Sequence, residues 1–306
     1  MVHAIGVTRP GGPDALEELE LAAQPLTPGQ VRIQVHSATV NPTDAMLRSR
    51  EHEDAVRVPG MEVAGVISEV GAGVEFVIGD AVMAIVVPAG EHGGYRSELV
   101  VPARSVARIP AGLTTVEAAT IPMNGLTAQF ALDTLALPAG ATVAVTGAAG
   151  TVGGYFVQLA KRAGLRVIAD AAQPDEAFVR DCGADEVVPR GDAFVAAVRR
   201  HCPGGVDGLV DTAVIEGDAL PAVKDGGTVI TLRGYQGDGT GRVRVVPIFV
   251  REYAEEAEKL DHLAVLAGRG DLTLRVAGVL PASQAADAHR SLEKHGIRGR
   301  LVLRFT

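Results

Sequence analysis

ATVAVTGAAGTVGGYFVQLAKRAG, residues 141–164, decides the fold. Its first seven residues are small or β-branched, the pattern of a buried strand. Glycines follow at 147, 150 and 153, and a helical apolar pattern then runs to Gly164, a C-terminal stop. Ala148, Gly150 and Gly153 occupy the three positions of the dinucleotide fingerprint G-x-G-x-x-G. Gly150 lets backbone approach a pyrophosphate, and Gly153 lets the helix sit close to its strand. The free amides and dipole of the helix N-terminus attract a diphosphate. A plain strand–helix turn is the alternative reading; the placement of the loop between a strong strand and a helix favours the cofactor.

Downstream, strand and helix alternate: LRVIAD, DEAFVRDCG, DEVVP, DAFVAAVRRHC, VDGLVDT, GDALPAVKDGG and GTVITLRG, with VRVVPIFV (243–250) as a sixth strand. This predicts a doubly wound parallel sheet. A helix is expected over 252–268, then a mixed tail. Upstream, residues 1–110 read as β-rich, with strands expected at 2–7, 30–37, 62–70, 79–87 and 95–101 between Gly/Pro turns. Residues 114–135 look helical, with Thr114 or Thr115 as cap and with Pro122 and Gly125 breaking the stretch in two.

The balance of charge is −9, without the basic stripe that a phosphate backbone requires, which argues against nucleic-acid binding. Two cysteines, Cys182 and Cys202, are too few for a secreted disulfide scaffold. No signal-peptide pattern and no membrane-length apolar run is read, so a soluble cytoplasmic protein is expected.

Seven further segments carry a resemblance: VNPTDAMLR (40–48), PGMEVAGVISEVG (59–71), IGDAVMA (78–84), GGYRSELVVPA (93–103), IPMNGLTAQFAL (121–132), VTGAAGTVGG (145–154) and GRLVLRF (299–305). In this order the chain resembles the zinc-independent medium-chain dehydrogenases/reductases, in their NADPH:quinone oxidoreductase branch. The resemblance implies an α/β protein of two parts. A GroES-like, β-rich catalytic domain would comprise 1–124 and 251–306. A doubly wound Rossmann domain would comprise 125–250, with the nicotinamide meeting substrate in a cleft between the two. Zinc-binding relatives hold their metal with a Cys in the first motif and a His before the Glu of G-H-E. Asn41 or a neighbour stands at the first place here and Met61 at the second, so no zinc and no other metal is expected. The eight histidines show no metal spacing.

Several roles follow from the resemblance. Asn41 lies at the nicotinamide and substrate pocket, where its amide donates to a developing oxyanion. Asp44 is either catalytic or an anchor for its loop. Met46 replaces a pocket Tyr of many relatives. Thr127 contacts the cofactor, whereas Asn124 caps a helix starting near Leu126. Val152 presses on the nicotinamide ring, and Thr151 replaces a loop glycine. Thr146, Gly147, Ala213, Gly234 and Phe249 complete the expected dinucleotide contacts.

Two signals on coenzyme choice conflict. Asp170, at the end of the second Rossmann strand, could bind the ribose 2′-hydroxyl of NADH or be a turn residue. Arg190, after the third strand, stands where NADPH-using relatives have a Tyr and could hold the 2′-phosphate. Arg300, where relatives often have Lys, is either a second phosphate ligand or a salt-bridge partner. The discriminating acid of NAD-using relatives aligns with Ala171, so NADPH is favoured, with NADH possible.

The implied reaction is hydride transfer to a small-molecule quinone, enone or enoyl substrate. Tyr95 and Tyr235 are the available phenols; Tyr95 is read as a strand residue, and Tyr235 lies at the carboxyl edge of the Rossmann sheet. Rival readings are an enoyl-thioester reductase and an NADPH-binding regulatory protein without activity. A homodimer through the 243–250 edge is expected, Pro247 suiting an edge position.

Overall fold

The computed structural model describes residues 1–51, 53–294 and 296–305. His52 and His295 of the histidine count, and Thr306 of the expected catalytic domain, lie outside the described residues. In chain order the first elements are β1 (Val2–Gly6), β2 (Glu17–Leu21), β3 (Gln30–Val40), α1 (Pro42–Ser49), β4 (Glu62–Val70) and β5 (Ala81–Ile85). Then come β6 (Glu98–Pro102), β7 (Val106–Arg108), α2 (Thr115–Ala118) and α3 (Pro122–Leu135). The middle of the chain holds β8 (Thr142–Thr146), α4 (Thr151–Arg162), β9 (Arg166–Ala171), α5 (Glu176–Asp181), β10 (Glu186–Pro189) and α6 (Phe194–His201). β11 (Val206–Asp211), β12 (Val223–Thr231) and β13 (Arg244–Pro247) follow. The chain ends with α7 (Ala257–Gly268), β14 (Val276–Pro281), α8 (Ala285–Glu293) and β15 (Arg300–Arg304).

Two compact units result. One comprises Met1–Met123, Ala254–Gly270 and Leu274–Thr306; the other comprises Asn124–Tyr253 and Asp271–Thr273. The expected joints at 124/125 and 250/251 differ from these by one and three residues, apart from the short return at 271–273.

The first unit, the GroES-like one, is built on a sheet of order β14-β15-β3-β4-β5-β7, with β6 also paired to β3. Ile33, Val35, Ile67, Leu99, Val101 and Leu303 are among the apolar side chains that fill its core. β2 and β7 were not foreseen, because each is too short or too exposed to show a hydrophobic period. Tyr95 is not in a strand: the expected strand 95–101 begins only at Glu98. The segment after Asn41 is a helix rather than a loop. Pro42 sits at its first turn, where the missing N–H costs nothing, and Asp44 accepts the Asn41 backbone N–H at 2.8 Å.

The second unit is a six-stranded parallel sheet of order β10-β9-β8-β11-β12-β13. This is the doubly wound order 3-2-1-4-5-6, whose reversal between β8 and β11 places ligands at the carboxyl ends of those strands. Thr114 caps α2, its hydroxyl accepting from Glu117 N. The break before α3 falls at Pro122, as expected, but Gly125 does not interrupt it. Asn124 therefore lies inside the first turn of α3 and does not cap a helix at Leu126. The helix expected over 217–227 is a 3-10 turn, Glu216–Ala222, and β12 starts already at Val223. Pro221 disfavours a continuing helix, and Arg242 ties down the carbonyls of Leu220 and Val223. Among the described residues no helix is long and apolar enough to cross a membrane.

Gly153 carries the packing of α4 on β8. A Cβ there would lie 2.3 Å from the Gly147 carbonyl oxygen and 2.9 Å from Ala148 Cα, both backbone atoms that cannot move aside. Gly153→Ala is expected to lower the stability of this unit by roughly 1–3 kcal/mol. Denaturant titration followed by far-UV circular dichroism checks this; a stability equal to the parent's would show that the helix shifts freely.

Candidate functional site

The loop between β8 and α4 is shaped by three restraints. Gly147 takes φ +67°, a conformation that only glycine adopts without strain, and its own Cβ would press on Thr212 Oγ1 at 2.7 Å. Gly150 is the N-cap of α4, and its N–H donates to the Gly147 carbonyl at 2.9 Å. The third restraint lies behind the loop. Asp170, at the end of β9, accepts the Ala148 N–H at 3.0 Å and is hydrogen-bonded by the Gly147 N–H as well. Asp170 is 5% exposed, and burial pushes its carboxyl pKa up despite these donors and the nearby charge of Arg190. The carboxylate expected at the ribose is thus turned into the loop as a brace. Arg190 is exposed.

The residues present fit a dinucleotide diphosphate. The hydroxyl Oγ1 of Thr151, in the first turn of the 12-residue α4, is buried without a hydrogen-bond partner among the described residues. A buried hydroxyl without a partner costs about 1–3 kcal/mol. A phosphate oxygen at this helix end would satisfy it together with the free amides of the first turn. Val152, beside it in the same turn, is half-buried. The loop after β11 is equally specified. Asp211 accepts from Thr146 Oγ1 at 2.6 Å, Ile215 N at 3.1 Å and Glu216 N at 2.7 Å, while Ala213 N donates to Thr146 Oγ1 at 3.1 Å. Val214 and Glu216 are held at φ +58° and +54°, a strain that clusters at ligand-binding loops. Thr146, Gly147, Ala148, Gly150, Thr151, Val152, Gly153, Asp170 and Ala213 therefore gather at one end of the sheet. Gly234 and Phe249 follow β12 and β13 near each other, a Cβ at Gly234 meeting the Phe249 ring at 3.6 Å, with the Arg251 guanidinium over that ring. Thr127 is buried in the second turn of α3. Tyr235 packs half-buried against the core of this unit, its hydroxyl close to Gly217. Desolvation, with Asp238, Glu216 and Asp218, raises its pKa above the ordinary phenol value and makes it a weaker acid.

In the first unit, Asn41, Asp44 and Arg300 come together with three residues to which no role was assigned from sequence: Glu62, Arg48 and His289. Asn41 is 0% exposed, and its Nδ2 donates to Glu62 Oε1 at 2.9 Å. A direct contact of this amide with substrate therefore needs its surroundings to open. Asp44, also 0% exposed, accepts from Asn41 N at 2.8 Å, Gly60 N at 2.9 Å and the Tyr95 hydroxyl at 3.4 Å. It thus ties α1 to the G-M-E turn, the anchoring alternative of the sequence reading. Arg300 lowers the pKa of both Asp44 and Glu62, so its charge serves these buried carboxyls rather than standing as a free phosphate ligand.

The direction of the chain beyond Tyr95 follows from chemistry. Arg48 Nη1 lies 3.1 Å from His289 Nδ1 and can only donate. Nδ1 must accept, so the proton of the neutral ring is on Nε2, which faces the Tyr95 hydroxyl at 3.2 Å. Burial and Arg48 hold His289 neutral, its pKa lowered to about 3. The hydroxyl accepts from His289 and donates to Asp44. Arg48 in turn is anchored by Glu293 at 2.6 Å. The sequence signal for this chain is weak, since its members are 241 positions apart. Met61 is buried packing. No group of three or more His, Cys, Asp or Glu able to hold a metal is found among the described residues.

Residues 27–111 match the family model of the alcohol dehydrogenase GroES-like domain, and residues 182–303 match that of zinc-binding dehydrogenases. The chain is 30% identical to the quinone oxidoreductase of Pseudomonas aeruginosa, over 96% of each protein. It is 31% identical to erythronolide synthase EryA2 of Saccharopolyspora erythraea, over 94% of this chain but 8% of that one. The solved structure of mycobacterial Rv1454c complexed with NADPH superimposes with a TM-score of 0.83 and 27% identity, covering 100% of both chains. The chain belongs to the medium-chain dehydrogenase/reductase superfamily, in its quinone oxidoreductase-like branch.

Burial raises the Asp44 pKa from 3.8 to about 7 and the Glu62 pKa from 4.5 to about 7. The native state then keeps protons that the unfolded chain has released, so these two groups make stability fall as pH rises from about 4 to about 7 and level off above. Asp44→Asn is expected to remove part of that fall, changing the slope by up to about 1.4 kcal/mol per pH unit. Urea titrations at pH 4.5 to 8 measure it, and parallel curves for parent and variant would contradict the assignment.

Proposed function

We propose that the protein is a zinc-free, NADPH-dependent oxidoreductase that reduces a quinone or an α,β-unsaturated carbonyl. The observation that carries this reading is the braced glycine loop with the buried, partnerless Thr151 hydroxyl at the start of α4. The P. aeruginosa relative, a quinone oxidoreductase, and the NADPH in the mycobacterial structure support it.

Thr151 and the first-turn amides of α4 would hold the diphosphate, with Thr146, Ala213 and Thr127 around the same dinucleotide. Preference for NADPH rests on charge. Asp170 faces the loop, while Arg190, whose charge also reaches Asp170, is exposed after β10, where a 2′-phosphate could pair with it. When bound, the reduced nicotinamide supplies a hydride. With an enone the β-carbon accepts that hydride, and negative charge develops on the carbonyl oxygen. The Asn41 amide is the donor proposed for that oxygen. Asp44 holds the turn that carries Asn41. The enolate takes its proton from solvent or from a hydroxyl; Tyr235, with its raised pKa, is the phenol nearest the carboxyl edge of the sheet.

Similarity to an erythronolide synthase favours keeping a second reading, an enoyl-thioester reductase of the same chemistry. A homodimer joined through β13, the edge strand of its sheet, completes the proposal.

Oxidation of NADPH at 340 nm against quinones, enones and enoyl thioesters is the direct test. Turnover on one class names the substrate; silence with tight NADPH binding would point to a regulatory binding protein. Asn41→Ala is expected to lower turnover by roughly 10²-fold without weakening NADPH. Unchanged turnover removes Asn41 from catalysis. Arg190→Ala should weaken NADPH at least roughly tenfold more than NADH in calorimetry, and equal losses would refute the phosphate contact.

A further inference from the structure

Glu62 is a buried carboxylate of the first unit that touches Asn41 side chain to side chain. Its two oxygens have separate tasks. Oε1 accepts from Asn41 Nδ2 at 2.9 Å, and Oε2 accepts from the Met123 backbone N–H at 2.8 Å. Glu62, Asn41 and Asn124 are all 0% exposed. An ionised carboxylate has no proton to give, so the amide must turn its nitrogen, not its oxygen, toward Glu62. The planarity of the amide then sets the direction of its second N–H.

We propose that Glu62 is a positioning residue for Asn41: its carboxylate fixes which way the amide points, and a proton on Glu62 undoes that fixing. The inference deepens the reading above, since it concerns the donor assigned there to the oxyanion. A protonated Glu62 carries a hydrogen on one of two oxygens that each face a donor. Two donors then meet, and either Met123 N–H loses its acceptor or the Asn41 amide turns over. The change lies near neutral pH, because burial raises the Glu62 pKa to about 7. The charged groups facing Glu62 are Asp44 of α1, which raises its pKa further, Arg300 of β15, which lowers it, and the Tyr95 phenol. Arg48 and His289 lie one step beyond Tyr95. Asp44 titrates in the same range, but its contact is with the Asn41 backbone N–H, not the side chain.

That difference makes the two carboxyls separable. The chain has two asparagines, Asn41 and Asn124, so labelling with ¹⁵N-asparagine yields two backbone and two side-chain amide signals. In the parent protein between pH 5.5 and 8.5, the Asn41 side-chain pair should shift with a midpoint near 7. In Glu62→Gln that shift should vanish while the Asn41 backbone signal still titrates. In Asp44→Ala, which adds no third asparagine, the Asn41 backbone signal should lose its titration and the Asn41 side-chain pair keep it. A side-chain pair that does not titrate in the parent, or titrates equally in Glu62→Gln, overturns the proposal. This readout needs no turnover, so it stands or falls apart from the assigned reaction. Where the parent turns over a quinone or enone, Glu62→Gln should lower kcat roughly tenfold or more and flatten its acid limb, with NADPH affinity unchanged. An unaltered acid limb would also overturn it.

Discussion

A carboxylate taken out of water costs several kcal/mol unless donors converge on it. Both units of this protein are organised around that constraint. In the first, Asp44 and Glu62 are fully buried, and the donors that compensate them are the backbone of Asn41, Gly60 and Met123, the Asn41 amide and the Tyr95 phenol. In the second, Asp170 and Asp211 do the same for the turns after β8 and β11. The turns after β8 and β11 and the turn at Asn41 are those whose amides satisfy buried acids, and they are shaped by that need.

This arrangement separates rigidity from chemistry. Asp170 and Asp44 sit where an acid could act on a ligand, yet both face the protein's own backbone. Their work is to present the neighbours: the first turn of α4 in one case, Asn41 in the other. A preorganised donor acts on developing charge without reorganising at the moment of reaction. A brace that titrates near neutrality, as Glu62 does, adds sensitivity to the same arrangement.

The directed chain Arg48–His289–Tyr95–Asp44 extends the constraint through buried Arg48 to the exposed Glu293. Because arginine only donates, every proton along the chain has one allowed position. Residues from α1, the turn before β6 and α8 thus share one network, which holds the amino-terminal and carboxyl-terminal parts of the unit in register. A partly satisfied network of this kind would be worse than an apolar core.

Local chemistry was readable from residue order. The glycine spacing at 147–153, the alternation of strands and helices after 141 and the cap at Thr114 depend on neighbours within a few positions, so the doubly wound sheet and the glycine turn after β8 were legible. Weak local signals failed: the short β7 forms by pairing with β5, and the early start of β12 at Val223 is held by Arg242, whereas the helix after Asn41 had local signals in Pro42 and Asp44 that were missed. The orientation of acids was legible least. Asp170 could be read as a ribose ligand or a turn residue and Arg300 as a phosphate ligand or a salt-bridge partner, Tyr95 was placed in a strand that begins only at Glu98, and Glu62 and His289 were given no role. Which face of a strand an acid occupies, and whether its donors lie 3 or 61 positions away, is settled only when the chain packs. Order along the chain determined the elements and the glycine loop after β8; tertiary packing decided where each buried charge finds its donors, because desolvation acts on surroundings and not on sequence.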